Sequence, residues 1–201
     1  MQSIVFRRNE SRPRPVAGRA KSSSLASFLS RARALALLPL AFLPARAAAQ
    51  DVGGIDVGAR APVIQAQDLA GKPAPLDAIG RTPALIEFWA TWCPYCQRLE
   101  PRMKAVFQKY GRRVRFYAVA VNVNESPTRV SRYTSSHALP YTILYDASGE
   151  ATRAYDVPAT SFVVITDATG RVAYTGLGDG QDLDSALARV TEAPRTGRTT
   201  P

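Results

Sequence analysis

The stretch 84–90, Ala-Leu-Ile-Glu-Phe-Trp-Ala, is apolar on both alternating faces apart from Glu87. That is the pattern of a strand covered on both sides, with one acid inside it. Helical spacing begins just after Cys93: Leu99, Met103, Val106, Phe107 and Tyr110 recur every three or four residues up to a stop at Gly111, with Pro101 expected to kink the helix. The β-branched and aromatic run 114–123 predicts the next central strand, 128–138 a helix carrying Val130 and Tyr133, and 141–145 a further strand before a turn at Ser148-Gly149. Segments 162–166 and 171–177 flank Asp167-Ala168-Thr169-Gly170 and predict a hairpin. Asp182 is placed to cap a last helix to Val190. Ahead of all this, 63–66 and a piece around Pro75 and Leu76 predict a small hairpin turned at Gly71-Lys72. Strands alternating with helices, closed by a hairpin and a helix, predict an α/β fold around a mixed central sheet with helices on both faces.

Charge changes the picture only at the N-terminus. The net charge of +10 invites a nucleic-acid reading, but residues 1–49 hold nine Lys and Arg against one acid, Glu10, while the rest of the chain holds 17 against 15. The basicity belongs to a leader, and no nucleic-acid partner is expected. That leader has a basic stretch from Arg7 to Arg33, a ten-residue apolar run from Ala34 to Leu43, and a small-x-small pattern at Ala47 and Ala49. The run is half the ~20 residues needed to span a bilayer. The reading is a cleaved signal peptide over 1–49, Sec-type rather than twin-arginine, with a periplasmic mature protein. A linker over 50–60, a domain over 61–192 and a disordered tail over 193–201 complete the expected organisation.

Two cysteines exist, Cys93 and Cys96, three positions apart at the strand-to-helix junction. A thiol exchanges with a disulfide as thiolate, and a helix N-terminus stabilises that anion through its unpaired N–H groups and dipole. Cys93 is expected in the first turn as nucleophile, and Cys96 on the same face as the thiol that resolves the mixed disulfide. Pro94 and Tyr95 shape the turn between them, and Trp92 supplies an apolar rim for a partner polypeptide. A zinc site would need two further ligands and finds only His137 and carboxylates, and a structural disulfide over two residues would constrain little chain. The pair itself is the redox centre, and no separate cofactor or metal is expected.

Phe88-Trp89-Ala90-Thr91-Trp92-Cys93-Pro94-Tyr95-Cys96 followed by Pro101 resembles the active-site signature of the thioredoxin superfamily. Ala61-Pro62, the turn Asp68-Leu69-Ala70-Gly71-Lys72 and an insertion from Asn122 through Tyr145 before Ala154-Tyr155-Asp156-Val157 are similar to its exported TlpA-like branch. The resemblance spans about 58–190. It implies a thioredoxin fold with an N-terminal hairpin extension and a TlpA-like insertion, and a periplasmic dithiol/disulfide exchanger, often a reductant of apocytochrome c or other exported proteins. Its partners would be exported protein thiols and disulfides and a membrane or periplasmic redox partner, with the protein itself a monomer.

Glu87 lies six residues before Cys93, where thioredoxins carry a buried Asp. It shares a strand face with Leu85 and Trp89, so burial is expected to raise its pKa and fit it to exchange a proton with Cys96. Many TlpA-like proteins place a Glu three residues after the second cysteine. Here that position is Leu99, and Glu100 is one later, turned by about 100° on a helix. The superfamily's substrate-gripping cis-proline aligns with Ser161, so Thr160 and Ser161 are the expected substrate-binding pair, with Ser161 in a trans peptide; Val157-Pro158 is the other choice. His137, the only histidine, is expected to cap or solvate a helix end. Three functions remain open: a reductase of protein disulfides, an oxidase or isomerase, and a copper chaperone using both thiolates.

Overall fold

The computed structural model describes residues 53–76 and 82–192. The expected signal peptide over 1–49, the start of the linker and the tail over 193–201 lie outside the described residues. Seven strands form one sheet: β1 (Ile64–Gln67), β2 (Pro73–Leu76), β3 (Ala84–Trp89), β4 (Arg115–Val121), β5 (Thr142–Asp146), β6 (Phe162–Thr166) and β7 (Val172–Leu177). Among the described residues four helices accompany them: α1 (Pro94–Tyr110), α2 (Pro127–His137), α3 (Glu150–Ala154) and α4 (Leu183–Glu192). The spatial order is β2-β1-β5-β4-β3-β6-β7. Strands β3, β4 and β5 are parallel, while β6 runs antiparallel to β3 and β7 to β6.

Strand β3 lies between β4 and β6, and all six of its residues are buried. Because side chains alternate along a strand, Phe88 and Glu87 face opposite layers. Phe88 packs on Tyr155, just after α3, and on Phe162. Glu87 and Trp89 face α1 and α2. The core is therefore split by the sheet, and the acid sits in the layer that also holds the cysteine helix.

Helix α1 runs through Pro101, which has no N–H to give the Gln97 carbonyl, and buries Leu99, Met103, Val106 and Tyr110. The N-terminal hairpin pairs Ile64 with Leu76 through Gln67 with Pro73. Its turn is held by the Asp68 carboxylate, which accepts from Ala70 N–H and Lys72 N–H, and by Gly71 at φ +80. A single residue pair, Gln67 with Tyr145, joins the hairpin to β5, so it forms one edge of the main sheet.

Residues 53–60, read from composition as linker, are bonded along the body. Ile55 N–H donates to Tyr155 O, Gly58 N–H to Val172 O, and Val172 N–H to Ala59 O. Gly54 has φ +90, and a Cβ on it would stand 2.3 Å from Phe162 Cζ, so the ring lies directly on its backbone. Helix α3 was not legible as a helix because five residues are too few to show periodicity. What makes it is Asp146, buried at the end of β5, whose carboxylate accepts from Ala151 N–H, Thr152 N–H and the Thr152 hydroxyl.

Candidate active site

Strand β3 ends at Trp89, and after three intervening residues the chain enters α1 through Cys93, whose extended backbone (φ −82, ψ 113) makes it the N-cap. Pro94 follows at the position where a helix needs no N–H. The Cys93 sulfur accepts the Cys96 N–H at 3.2 Å, and the two cysteines are joined as a disulfide. An N-cap sulfur receives both an orphan N–H and the positive end of a 17-residue helix, the environment that favours thiolate over thiol once the bond is reduced. Cys93 and Cys96 are buried, whereas Trp92 and Tyr95 are 44 % and 52 % exposed. The expected apolar rim is therefore present around a recessed pair, and Val123, 58 % exposed, extends it.

The loop ahead of Cys93 is clamped by residues that sequence reasoning missed. Glu125, its side chain 0 % exposed, accepts from Thr91 N–H at 2.7 Å and from the Thr91 hydroxyl at 2.6 Å through one oxygen, and from Ser126 N–H through the other. Trp92 Nε1–H donates to Val123 O, and the Gln97 side-chain amide to Thr91 O. Glu125 precedes a helix with a Ser126 N-cap and carries no periodic or motif signal.

Glu87 is buried as expected. Glu87, Cys96, Glu100 and Tyr133 line one small cavity of about 10 Å³, together with Trp89 and Tyr141. That is the room of roughly one water molecule. Loss of solvation, and secondarily the charge of Glu100, pushes the Glu87 carboxyl up to about 8. Glu100 is in the opposite condition. Partial burial pulls its pKa up, but hydrogen bonds from Lys104, Tyr133 and His137 outweigh that and hold it below the usual carboxylate range. The contacts are short: Lys104 Nζ at 2.7 Å, Tyr133 hydroxyl at 2.9 Å and His137 Nδ1 at 2.9 Å. His137 does sit at the end of its helix, yet its ring stacks on Tyr133 at 3.8 Å and bonds Glu100, so solvation is not its whole role.

On the other side of the pair, Ser161 occupies the position next to the end of β3, donating its N–H to Phe88 O, in a trans peptide with φ +67. Its carbonyl accepts from Gly178 N–H and from the Gln181 side-chain amide. Ser161 is fully buried with both backbone groups spent inside the protein, so the expectation that it grips substrate directly is corrected: it shapes the wall, and half-buried Thr160 beside it is the residue that remains accessible. Pro158 is exposed and lies beside Gly53, away from this position in the pairing. The 179–181 loop is tied to α1, with Arg98 bonded to the Asp179 carboxylate and Arg102 to the carbonyls of Asp179 and Gln181. Arg98 also stacks over Tyr95. Among the described residues no three His, Cys, Asp or Glu side chains converge as a metal ligand set.

The family described as AhpC/TSA matches residues 57–175, more than half of the chain. The thiol-disulfide oxidoreductase ResA of Geobacillus thermodenitrificans is 28 % identical over 141 residues, 68 % of this chain and 79 % of that protein. ResA of Bacillus thuringiensis subsp. konkukian is 24 % identical over 139 residues, covering 68 % and 80 %. Among solved structures, a thiol:disulfide interchange protein of the thioredoxin family from Chlorobium tepidum TLS superposes with a TM-score of 0.58 at 24 % identity, covering 68 % of this chain and 98 % of that one. A secreted Mycobacterium tuberculosis disulfide oxidoreductase, described as homologous to E. coli DsbE, superposes at 0.55 with 25 % identity, covering 64 % and 95 %.

Proposed function

Since the chain belongs to the AhpC/TSA family and is a TlpA-like thiol-disulfide oxidoreductase of the thioredoxin fold, we propose that it works after export, as a reductase of disulfides in periplasmic proteins, with apocytochrome c as one candidate client. The observation that carries the reading is the pairing of an N-capping Cys93 sulfur with a Cys96 that shares a small cavity with a buried carboxyl.

Cys93 thiolate attacks one sulfur of a substrate disulfide; that bond breaks, the first substrate thiolate leaves, and a Cys93–substrate disulfide forms. Cys96 then gives its proton to the Glu87 carboxylate, directly or over one water, and its thiolate attacks the Cys93 sulfur. The Cys93–Cys96 disulfide forms, the second substrate thiolate leaves, and two electrons have passed to the substrate. A raised Glu87 suits this step, because a carboxylate of ordinary acidity would be a far weaker acceptor for a thiol proton. Trp92, Tyr95 and Val123 offer the client an apolar seat. No group beyond the cysteine pair is required, but the oxidised protein needs an upstream dithiol partner to restore it. The leader over 1–49 and the secreted relative support export.

The test is the reduction potential of the protein, from equilibration in dithiothreitol or glutathione buffers with thiol trapping of Cys93 and Cys96. A value near thioredoxin's, about −270 mV, supports the reductase; a value near DsbA's, about −120 mV, makes the protein an oxidase or isomerase.

A further inference from the structure

The inserted helix α2 does more than cover the sheet. Its Tyr133 packs against Trp89 of β3 at 5.4 Å and donates its hydroxyl to Glu100 of α1, and its His137, one turn on, bonds the same Glu100 oxygen. Lys104, one turn along α1, bonds the other Glu100 oxygen and also the His137 carbonyl. A half-buried carboxylate held by three donors is fixed in place as an anion. It is fixed on the wall of the cavity that contains Cys96 and Glu87. Two carboxyl groups facing one small cavity cannot both ionise freely, because a like charge at short range in a poorly solvated space disfavours the second ionisation.

We infer that Glu100, clamped by Tyr133 and His137 of α2 and by Lys104, is a positioning residue that governs when Glu87 takes the Cys96 proton, which makes the insertion a working part of the exchange site. The inference rests on the proposed proton transfer from Cys96 to Glu87. The groups that face Glu87 are Cys96 and Glu100 from α1, Tyr133 from α2 and Tyr141 ahead of β5. Those that face Glu100 are Lys104, Tyr133 and His137, with Tyr141 nearby. Burial above all, and then the two glutamates, push both tyrosines far above their ordinary values, so they remain neutral. Glu87 and Glu100 are left as the carboxyl pair whose charges oppose one another. With Glu100 anionic and pinned, Glu87 keeps its proton well above the usual carboxylate range, which fits it to exchange a proton with a neighbouring thiol.

The experiment follows oxidation of the reduced full chain by a small disulfide from pH 5 to 10 in the wild type and in Glu87→Gln, Glu100→Gln and Tyr133→Phe. Wild type should show an inflection that Glu87→Gln removes. Glu100→Gln should move that inflection down by about one pH unit, since the opposing charge is gone, and Tyr133→Phe should move it up by a smaller amount, since the Glu100 charge is then less compensated. An inflection left in place by both variants overturns the inference, whatever happens to their melting temperatures. If Glu100→Gln does not fold, the direction of the Tyr133→Phe shift decides alone. A profile unchanged by Glu87→Gln removes the proton-acceptor reading itself, and the inference with it. Loss of the Glu100 effect alone leaves that reading standing.

Discussion

The dithiol is flanked by two regions built on different principles. On the insertion side, carboxylates of Glu125 and Glu100 reach into the site and are matched by donors from the Cys93 loop, α1 and α2. On the β6–β7 side, contacts are chiefly to backbone: Ser161 to Phe88, Gly178 to Ser161, and Gln181 and Arg102 to loop carbonyls. The difference teaches that buried carboxylates meeting side-chain donors hold one flank, while the other is held mainly through backbone groups, so that on the proposed mechanism only the first bears on proton transfer. Disturbing the first flank should alter pH dependence and the Cys93 loop. Disturbing the second should alter substrate fit.

The largest effect is expected from Glu87→Gln. A carboxyl at about 8 in the folded protein against 4.5 unfolded binds a proton more tightly when folded, so wild type is most stable below about pH 4.5 with respect to this group and loses that stability as pH rises to about 8. The neutral variant should not, and a urea titration of the oxidised proteins should find it more stable than wild type at pH 9 by on the order of a few kcal/mol, with the gap closing by pH 5. Glu125→Ala comes next. Thr91 is 8 % exposed, and losing its acceptor should destabilise the fold by about 2–4 kcal/mol and slow exchange by freeing the loop before Cys93; equal exchange rates would mean the clamp does not position the nucleophile.

Gln181→Ala removes the amide bonded to Ser161 O and Gly178 O. It should lower stability by about 1–2 kcal/mol and raise KM for a protein disulfide more than it lowers kcat, with no change in the pH profile. A shifted pH profile would erase the contrast between the flanks. The smallest effect is assigned to Arg98→Ala, whose exposed pair with Asp179 should leave denaturation midpoints within error of wild type and weaken further with salt.

Much of this was legible from local pattern. The alternation around Glu87 placed that acid inside a fully covered strand, and β6 and β7 were read within a residue because the turn at Asp167–Gly170 has strong local chemistry, the Asp167 carboxylate accepting from Thr169 and Arg171 N–H. Helix α3 was missed because Asp146 caps it from the preceding strand, and Ser161 was read as a substrate contact because its burial depends on Gly178 and Gln181, 17 and 20 residues away.

The amino-acid sequence by itself determined the strands, the three longer helices, the cysteine pair at the mouth of α1 and the acid in β3, since each is a matter of residue type at short spacing. Which groups surround that acid was decided by the tertiary structure. Glu100 turned away from the family-like position by one residue, yet Tyr133, 33 residues on, and His137, 37 on, catch its carboxylate. Hydrogen-bond partners supplied by a separate helix leave no periodicity in the chain, and the pairing of Glu87 with Glu100 exists only where β3, α1 and α2 pack together.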